Sequence, residues 1–156
     1  MSITSGMMSS NKQDWETPPE FMQALKQSFD LDVCAYKDTA KAPIFFTEQD
    51  NAFKQQWVGK CWMNPPYGKA IPKWLERAYK ESQQAYCTSV TCLIPARTDT
   101  AWFHDFAVKG TIVLLRGRIS FLQNGLAVGS PAFPSMLVIY DKQQLPKILT
   151  WAWKVK

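Results

Sequence analysis

Residues 60–68 read KCWMNPPYG, a mostly apolar run that stops at two consecutive prolines. The run has the length of a buried strand, and proline cannot donate a hydrogen bond to a sheet, so the strand has to end at Asn64. In an α/β sheet, ligands commonly bind at the loop that follows a buried strand. The stretch therefore predicts such a strand and a working loop at residues 64–67. A rigid strand-ending turn is the alternative interpretation.

Strands and helices are predicted to alternate on both sides of this stretch. Short apolar runs indicate three more strands, at residues 31–35, 43–46 and 89–94. Pro72 is typical of the first turn of a helix, and residues 98–100 can cap another helix, which Gly110 ends. Strands that alternate with helices build a mainly parallel sheet.

The first helix is predicted to begin at Thr17. Thr17 has the form of an N-cap and Pro18 that of the first helical residue, and Glu20 closes a capping box. An apolar stripe follows at helical spacing: Phe21, Leu25 and Phe29. We therefore expect an amphipathic helix here.

The C-terminal third has a different pattern. Residues 111–115 and 135–140 are apolar runs, and the segment between them is rich in Gly, Pro and Asn without helical periodicity. Two strands joined by such a loop are expected to be antiparallel. The predicted fold class is therefore α/β, with a mixed sheet that is parallel except for an antiparallel strand pair at the C-terminal end, and with helices on both faces.

Length and composition predict one globular domain. The chain has 156 residues, of which 46% are hydrophobic and 20% charged. We expect a flexible tail at residues 1–13 and a single domain at residues 14–156. No apolar run approaches the roughly 20 residues of a membrane-spanning helix, and no signal peptide is recognisable, so a cytoplasmic protein is expected.

Metal chemistry and triad hydrolysis have little support in this sequence. The cysteines match no zinc pattern and are expected to be reduced and mostly buried: Cys34, Cys61, Cys87 and Cys92. His104 is the only histidine, and no nucleophile signature surrounds it. We expect no metal site and an ordinary structural role for His104.

The charge of the chain is distributed unevenly. Residues 1–64 carry six Lys/Arg and eight Asp/Glu, a net charge of −2, whereas residues 65–156 carry twelve and five, a net charge of +7. This asymmetry suggests that a polyanion approaches surfaces built by the second part of the chain.

The loop at residues 64–67 suits the activation of an amine whose lone pair is delocalised. The side-chain oxygen of Asn64 and the carbonyl oxygen of Pro65 can accept both hydrogens of one NH₂ group, which stabilises the positive charge that develops as the nitrogen attacks. Pro65 and Pro66 hold these acceptors rigidly, and Tyr67 can stack on a planar base for about 1–3 kcal/mol. These four residues are the candidate catalytic residues.

The chain resembles the S-adenosylmethionine-dependent amino-methyltransferases, whose signature is Asp/Asn-Pro-Pro-Tyr/Phe/Trp. It is most similar to the short phage and prophage Dam-type DNA adenine-N6 methyltransferases. Six segments carry the resemblance: residues 15–19, 31–35, 51–53 with Trp57, 64–67, 95–100 with Trp102 and Phe103, and 117–121. The resemblance implies a Rossmann-like methyltransferase fold, S-adenosylmethionine as cofactor and double-stranded DNA as substrate.

The resemblance also implies roles for single residues. Asn64, Pro65 and Tyr67 would contact the target amine and its base. The implied cofactor contacts are Trp15, Thr17, Pro18, Asp32, Asn64 and either Asp50 or Asn51. Asp32 would lie near the amino group of the cofactor. Thr17 is expected to act as a helix cap, as a cofactor contact or as both.

The sequence departs from larger family members in two ways. No Gly-x-Gly-x-x-Gly motif follows the first strand, where Ala35 is followed by Tyr36 and Lys37. The stretch between Ala35 and Asn64 is also too short for an inserted target-recognition domain. We therefore expect sequence recognition from loops or from a second subunit in a homodimer.

Five basic residues are the candidate DNA contacts: Lys69, Lys73, Arg97, Arg116 and Arg118. The arginines follow predicted strand ends, and the N6 group has to leave the base stack to react, so cations beside the site can hold the flanking phosphates. Ordinary surface charge or ion pairs are the alternative. The loop at residues 123–134 is expected to enter a groove.

The sequence therefore predicts an enzyme that methylates adenine N6 in DNA by direct in-line displacement, in the setting of phage genome modification or restriction-modification. One alternative is an amino-methyltransferase that acts on RNA bases or protein glutamine. Another is a catalytically inactive DNA-binding module of the same fold.

Overall fold

The computed structural model describes residues 15–128 and 133–154. The tail predicted at residues 1–13 lies outside this range. In chain order the elements are α1 (Pro19–Leu25), β1 (Leu31–Asp32), β2 (Ile44–Phe45), β3 (Gly59–Met63), α2 (Ile71–Ser82), β4 (Cys87–Pro95), α3 (Ala101–Asp105), β5 (Thr111–Leu115), β6 (Leu122–Gln123), β7 (Leu126–Ala127), β8 (Ser135–Tyr140) and β9 (Ile148–Trp151). Short 3₁₀ turns occur at Ala52–Lys54 and Ala107–Lys109.

In the described part of the chain, seven strands form one sheet in the order β2-β1-β3-β4-β8-β5-β9. β1 pairs in parallel with β2 and β3, and β3 pairs in parallel with β4. β8 lies between β4 and β5 and is antiparallel to both, whereas β9 is parallel to β5. The predicted mixed α/β fold is confirmed, and so is the antiparallel pairing of β5 with β8.

The core is centred on β3 and β4. β4 is buried along its length except at Thr88, so both faces of this central strand are covered. Helix α2 contacts β4 and β8 and buries Leu75 and Ala78. Pro72 lies in its first turn, as predicted. The four cysteines are free and all but Cys34 are buried, which confirms the expectation for the thiols.

The predicted start of the first helix is wrong. Pro18 is the N-cap of α1 and no side chain caps the helix. The hydroxyl of Thr17 instead accepts a hydrogen bond from the side chain of Asn64 at 3.1 Å. The helix also ends early, because Lys26 adopts a left-handed conformation, so Phe29 is buried in the core without belonging to the helix.

The segment predicted as a plain loop before β8 contains a hairpin. β6 and β7 are antiparallel, and the residues between them, Asn124 and Gly125, both have positive φ, as a tight hairpin turn requires. β9 was also not predicted, and it forms the edge of the sheet beside β5. Thr100 caps α3 by accepting the N–H of Phe103, as expected from residues 98–100.

Candidate active site

The parallel strands of the sheet end at one edge, and the candidate residues follow those ends. β1 ends at Asp32, β3 leads into Asn64 and β4 leads into Arg97. A cavity of about 370 Å³ opens at this edge, which is a size typical of small-molecule sites. The fold therefore brings polar groups from separate parts of the chain to one cavity.

The wall of this cavity includes most of the residues predicted to contact a cofactor: Trp15, Thr17, Asp32, Asn51 and Asn64. Two other predicted residues are not among its described wall residues. Pro18 is buried as the N-cap of α1, and the Asp50 carboxylate accepts the backbone N–H and the hydroxyl of Thr47 at 2.8 and 3.0 Å. Of the pair Asp50 and Asn51, only Asn51 lines the cavity.

Asp32 is a buried carboxylate on the cavity wall. It is 3% exposed and accepts backbone N–H groups from Lys41 at 2.9 Å and from Cys34 at 3.2 Å. Burial raises the pKa of Asp32 to about 6, although these two hydrogen bonds and the charge of Lys41 oppose the shift. A positive ligand group beside Asp32 would be stabilised by the ionised carboxylate.

The amide of Asn64 is held by three groups. Its nitrogen donates to the carbonyl oxygen of Trp15 and to the hydroxyl of Thr17, and its oxygen accepts the hydroxyl of Tyr67 at 2.7 Å. The contacts to Trp15 and Thr17 join the loop after β3 to the segment before α1. Asn64 is therefore fixed in one orientation at the cavity wall.

Tyr67 is buried beneath other aromatic rings. It is 5% exposed, and its ring lies edge-to-face with Phe121 and Phe133, at centroid distances of 5.9 and 5.7 Å. Burial raises the pKa of Tyr67 well above its usual value, so the hydroxyl remains a donor. Besides Asn64, the carbonyl oxygen of Leu93 lies 3.2 Å from this hydroxyl.

The loop that carries these residues is conformationally restricted. Pro65 is buried, and Pro66 lies on the cavity wall. Gly68 has a φ of 104°, a conformation that strongly favours glycine, and it turns the chain into α2. The acceptors of residues 64–67 are therefore held by local geometry as well as by the contacts of Asn64.

The DNA N-6-adenine-methyltransferase (Dam) family model matches residues 4–154. The chain belongs to this family. The DNA N-6-adenine-methyltransferase of Haemophilus phage HP1 (strain HP1c1) is 31% identical to it over 151 residues, which cover 90% of this chain and 86% of that protein. No solved structure matches the chain.

Membership of the Dam family confirms the predicted reaction, the methylation of adenine N6 in DNA. It sets aside the alternatives in which the amine belongs to an RNA base or to protein glutamine. The predicted role of the Asn-Pro-Pro-Tyr loop in activating this amine stays a prediction.

Several wall residues of the Dam-family cavity were not predicted from the sequence: Lys41, Phe46, Glu48, Phe53 and Trp74. Glu48 lies just after β2, and Asp32 lies at the end of β1. An acidic residue near the end of the second strand could therefore have predicted Glu48 as a residue of the cavity wall. The rings of Phe53 and Trp74 lie 4.5 Å apart. Lys73, predicted as a DNA contact, lines the cavity with its ammonium 4.2 Å from the centre of the Phe53 ring.

The remaining basic candidates lie at the same edge of the sheet. The guanidinium of Arg97 is 5.9 Å from the ring centre of Phe133, which contacts Tyr67. This chain of contacts brings Arg97 close to the Asn-Pro-Pro-Tyr loop. The other three are exposed: Lys69, Arg116 and Arg118.

Within residues 15–128 and 133–154, no group of three or more His, Cys, Asp or Glu side chains is arranged to hold a metal ion. His104 contacts the carbonyl oxygen of Thr98 at 2.8 Å and packs against Phe103. None of the helices in these two ranges is long and apolar enough to cross a bilayer.

Proposed function

We propose that this Dam-family protein binds S-adenosylmethionine in the cavity beside Asn64 and methylates an adenine that is extruded from double-stranded DNA. The position of Asn64 is the observation that carries the proposal. Asn64 directly follows β3, lines the cavity and has its amide fixed by three groups. An acceptor held at the boundary of a cofactor-sized cavity is what the attacking amine requires.

The chemistry of the cavity wall fits S-adenosylmethionine. The Asp32 carboxylate suits the ammonium group of the methionine part, and Glu48 suits the ribose hydroxyls. Phe53 and Trp74 offer apolar faces to an adenine ring, and Asn51, two residues before Phe53, also lies on the wall. When bound, the cofactor supplies a methyl group that its sulfonium makes electrophilic.

The residues of the loop act on the substrate amine. The side-chain oxygen of Asn64 and the carbonyl oxygen of Pro65 accept the two N6 hydrogens, which localises the nitrogen lone pair and stabilises the positive charge that develops on it. Because these acceptors are held in place before the substrate arrives, little reorganisation is needed during the reaction. The amine loses its extra proton after the transfer, so no histidine base is required.

Tyr67 is proposed to stack on the extruded adenine, which requires its ring to become accessible. Phe121 and Phe133 cover its ring in this structure. Phe133 is only half-buried, and it packs on Tyr67, Phe121 and Trp15. Stacking of an adenine on Tyr67 therefore requires Phe133 to move aside.

DNA is proposed to lie across the edge of the sheet that carries the exposed cations. Arg97 suits a phosphate next to the extruded base, because it stands over Phe133 beside the loop. The hairpin of β6 and β7 is fixed by two backbone hydrogen bonds between Glu16 and Leu122, at 2.9 and 3.0 Å, and it exposes Leu126. This hairpin is the described element that suits entry into a groove.

The test is incubation of the protein with S-adenosylmethionine labelled in its methyl group and with unmethylated double-stranded DNA. Digestion to nucleosides and mass spectrometry should reveal labelled N6-methyladenine. Asn64→Ala should abolish the product while calorimetry shows that most cofactor affinity remains. Product from Asn64→Ala at the wild-type rate would contradict the proposed mechanism.

Two other results of the same assay would redirect the proposal. Cofactor binding without product on duplex DNA would contradict the proposed duplex substrate and favour another form of DNA. Absence of cofactor binding would favour a DNA-binding module that lacks catalysis. For the active enzyme we propose modification of a phage or host genome, in the cytoplasm of a bacterial host.

A further inference from the structure

The orientation of an asparagine amide decides whether it helps or opposes an incoming amine. Its oxygen can accept an N–H hydrogen, whereas its nitrogen only donates. An amide turned by 180° at residue 64 would point hydrogens at the hydrogens of the adenine amino group. Whatever fixes the orientation of Asn64 is therefore part of the catalytic machinery.

The hydrogen bonds of Asn64 to the described residues leave one acceptor lone pair of its side-chain oxygen unused. Its nitrogen has two hydrogens, and the two acceptors around it are the carbonyl oxygen of Trp15 and the hydroxyl oxygen of Thr17. Its oxygen has two lone pairs, and the described residues provide one donor to it, the hydroxyl of Tyr67. What remains is one acceptor lone pair, which is the group that the substrate amine needs.

The partners also determine which way the amide faces. A backbone carbonyl can only accept, so the nitrogen of Asn64 has to face Trp15. Burial keeps the hydroxyl of Tyr67 protonated, and of the two acceptors within reach of its one hydrogen the oxygen of Asn64 is nearer, at 2.7 Å against 3.2 Å for the carbonyl oxygen of Leu93. A turned amide would place its oxygen against the Trp15 carbonyl oxygen, and its nitrogen would exchange two acceptors for one, the hydroxyl oxygen of Tyr67.

Thr17 holds the second hydrogen of this nitrogen from a buried position. Its side chain is 2% exposed, and no helix-capping bond competes for its oxygen. The segment that carries Thr17 is itself fixed, because Glu16 forms two backbone hydrogen bonds with Leu122 of β6. The Asn64 nitrogen is thus held by a segment that lies 47 residues away in sequence and is hydrogen-bonded to the β6–β7 hairpin.

We infer that Thr17 is a positioning residue for the methyl transfer: with the Trp15 carbonyl, it holds the amide nitrogen of Asn64 so that the amide oxygen faces the substrate amine. This inference rests on the proposed function. It differs from the cofactor role implied for Thr17 by family resemblance, because a cofactor contact acts on cofactor affinity and a positioning contact acts on the rate of transfer.

The kinetic test compares Thr17→Val, which keeps the shape and removes the hydroxyl, with Thr17→Ser, which keeps the hydroxyl. We expect Thr17→Val to lower kcat about tenfold, the equivalent of one hydrogen bond of about 1.4 kcal/mol, with unchanged KM and calorimetric affinity for S-adenosylmethionine. Thr17→Ser should restore most of kcat. Wild type and Asn64→Ala in the same assay show whether the proposed reaction itself holds.

A spectroscopic test of the hydrogen bonds that hold Asn64 needs no turnover. In a nitrogen-15 spectrum of the wild type, the side-chain NH₂ pair of Asn64 is the pair that Asn64→Ala lacks. Both of its hydrogens should exchange slowly with solvent, and Thr17→Val should shift the pair where Thr17→Ser does not.

Rapid exchange of the Asn64 NH₂ hydrogens in the wild type would overturn the inference, whether or not the protein methylates DNA. So would a Thr17→Val enzyme with the wild-type kcat and a raised KM for S-adenosylmethionine, which would assign Thr17 to cofactor binding alone. In either case, a dead Asn64→Ala variant beside an active wild type would leave the proposed function standing.

Discussion

Cofactor affinity should depend on pH through Asp32. Its pKa is raised to about 6 by burial, so the carboxylate is mainly ionised at pH 7 and mainly protonated at pH 5. For a pKa of about 6, the ionised fraction falls from about nine-tenths to about one-tenth over this range. If the ionised form binds the cofactor ammonium, affinity should fall about tenfold, or about 1.4 kcal/mol.

The assay is calorimetric titration with S-adenosylhomocysteine at several pH values from 5 to 7. This ligand keeps the amino acid part and has no methyl group to transfer, so no turnover interferes. Its amino group is that of a free amino acid, which titrates well above pH 7 because the neighbouring carboxylate stabilises the ammonium, and it therefore stays charged throughout. The matched control is 5′-methylthioadenosine, which lacks the ammonium and should bind with an affinity independent of pH.

The direction of the effect tests the reasoning. Because Asp32 must be ionised to pair with the ammonium, affinity should rise with pH and level off above the pKa. Asp32→Asn should weaken binding at pH 7 and remove the dependence. Equal pH profiles for the two ligands, or an affinity that rises as pH falls, would refute the pairing of Asp32 with the ammonium.

Three further outcomes are expected. Because the pKa of Asp32 is raised, the free energy of unfolding of the ligand-free protein is about 3 kcal/mol higher below about pH 4 than above about pH 6. Urea unfolding of wild type and Asp32→Asn at pH 4 and 7 measures this difference. Arg97→Ala should weaken DNA binding and lower the salt dependence of the affinity by about one phosphate contact, whereas an unchanged slope would remove Arg97 from the DNA path. The edge strand β9 exposes Ile148 and Leu149, at 69% and 46%, so a homodimer formed through this edge should become monomeric on Ile148→Lys. Light scattering that shows the same mass for wild type and Ile148→Lys would exclude β9 as the dimer interface.

The strand and loop at residues 60–68 were predictable because their pattern is local. An apolar run followed by two prolines predicts where a buried strand ends, and β3 ends at Met63 as expected. The pairing of β5 with β8 was predictable for a similar reason, since no helix pattern separates them. Local patterns thus gave the position of the candidate loop and the class of the sheet.

The role of Thr17 was not predictable from its neighbours. Its position before two prolines and Glu20 has the pattern of a helix cap, yet its hydroxyl faces Asn64. A contact between residues so far apart in sequence depends on the whole sheet being assembled. The burial of Phe29 outside α1 has the same origin, because its ring packs on Trp62 of β3 at 5.3 Å.

The hairpin and the last strand illustrate two different limits. Asn124-Gly125 is typical of a tight hairpin turn, so the hairpin of β6 and β7 was predictable from the sequence although it was not predicted. β9 carried a weaker signal, since its first three residues are exposed and show no alternation between buried and solvent-facing positions. Its place at the edge is set by pairing with β5 rather than by burial.

The missing glycine-rich loop has a physical explanation in the contacts of Asp32. The chain after β1 turns without any positive φ in residues 33–41, all of which are described. The Asp32 carboxylate accepts the N–H groups of Cys34 and Lys41, and its backbone carbonyl accepts the N–H of Phe46 after β2. The side chain of one acid thus organises the turn after β1 in a chain that lacks a Gly-x-Gly-x-x-Gly motif there.

This double use of Asp32 constrains how its substitution is interpreted. Asn at this position would turn a donor toward one of the two backbone N–H groups, so Asp32→Asn is expected to disturb the loop as well as the charge. Loss of loop shape should weaken S-adenosylhomocysteine and 5′-methylthioadenosine alike, whereas loss of charge should weaken only the former. The ratio of the two affinities, rather than either alone, therefore reports the electrostatic contribution of Asp32.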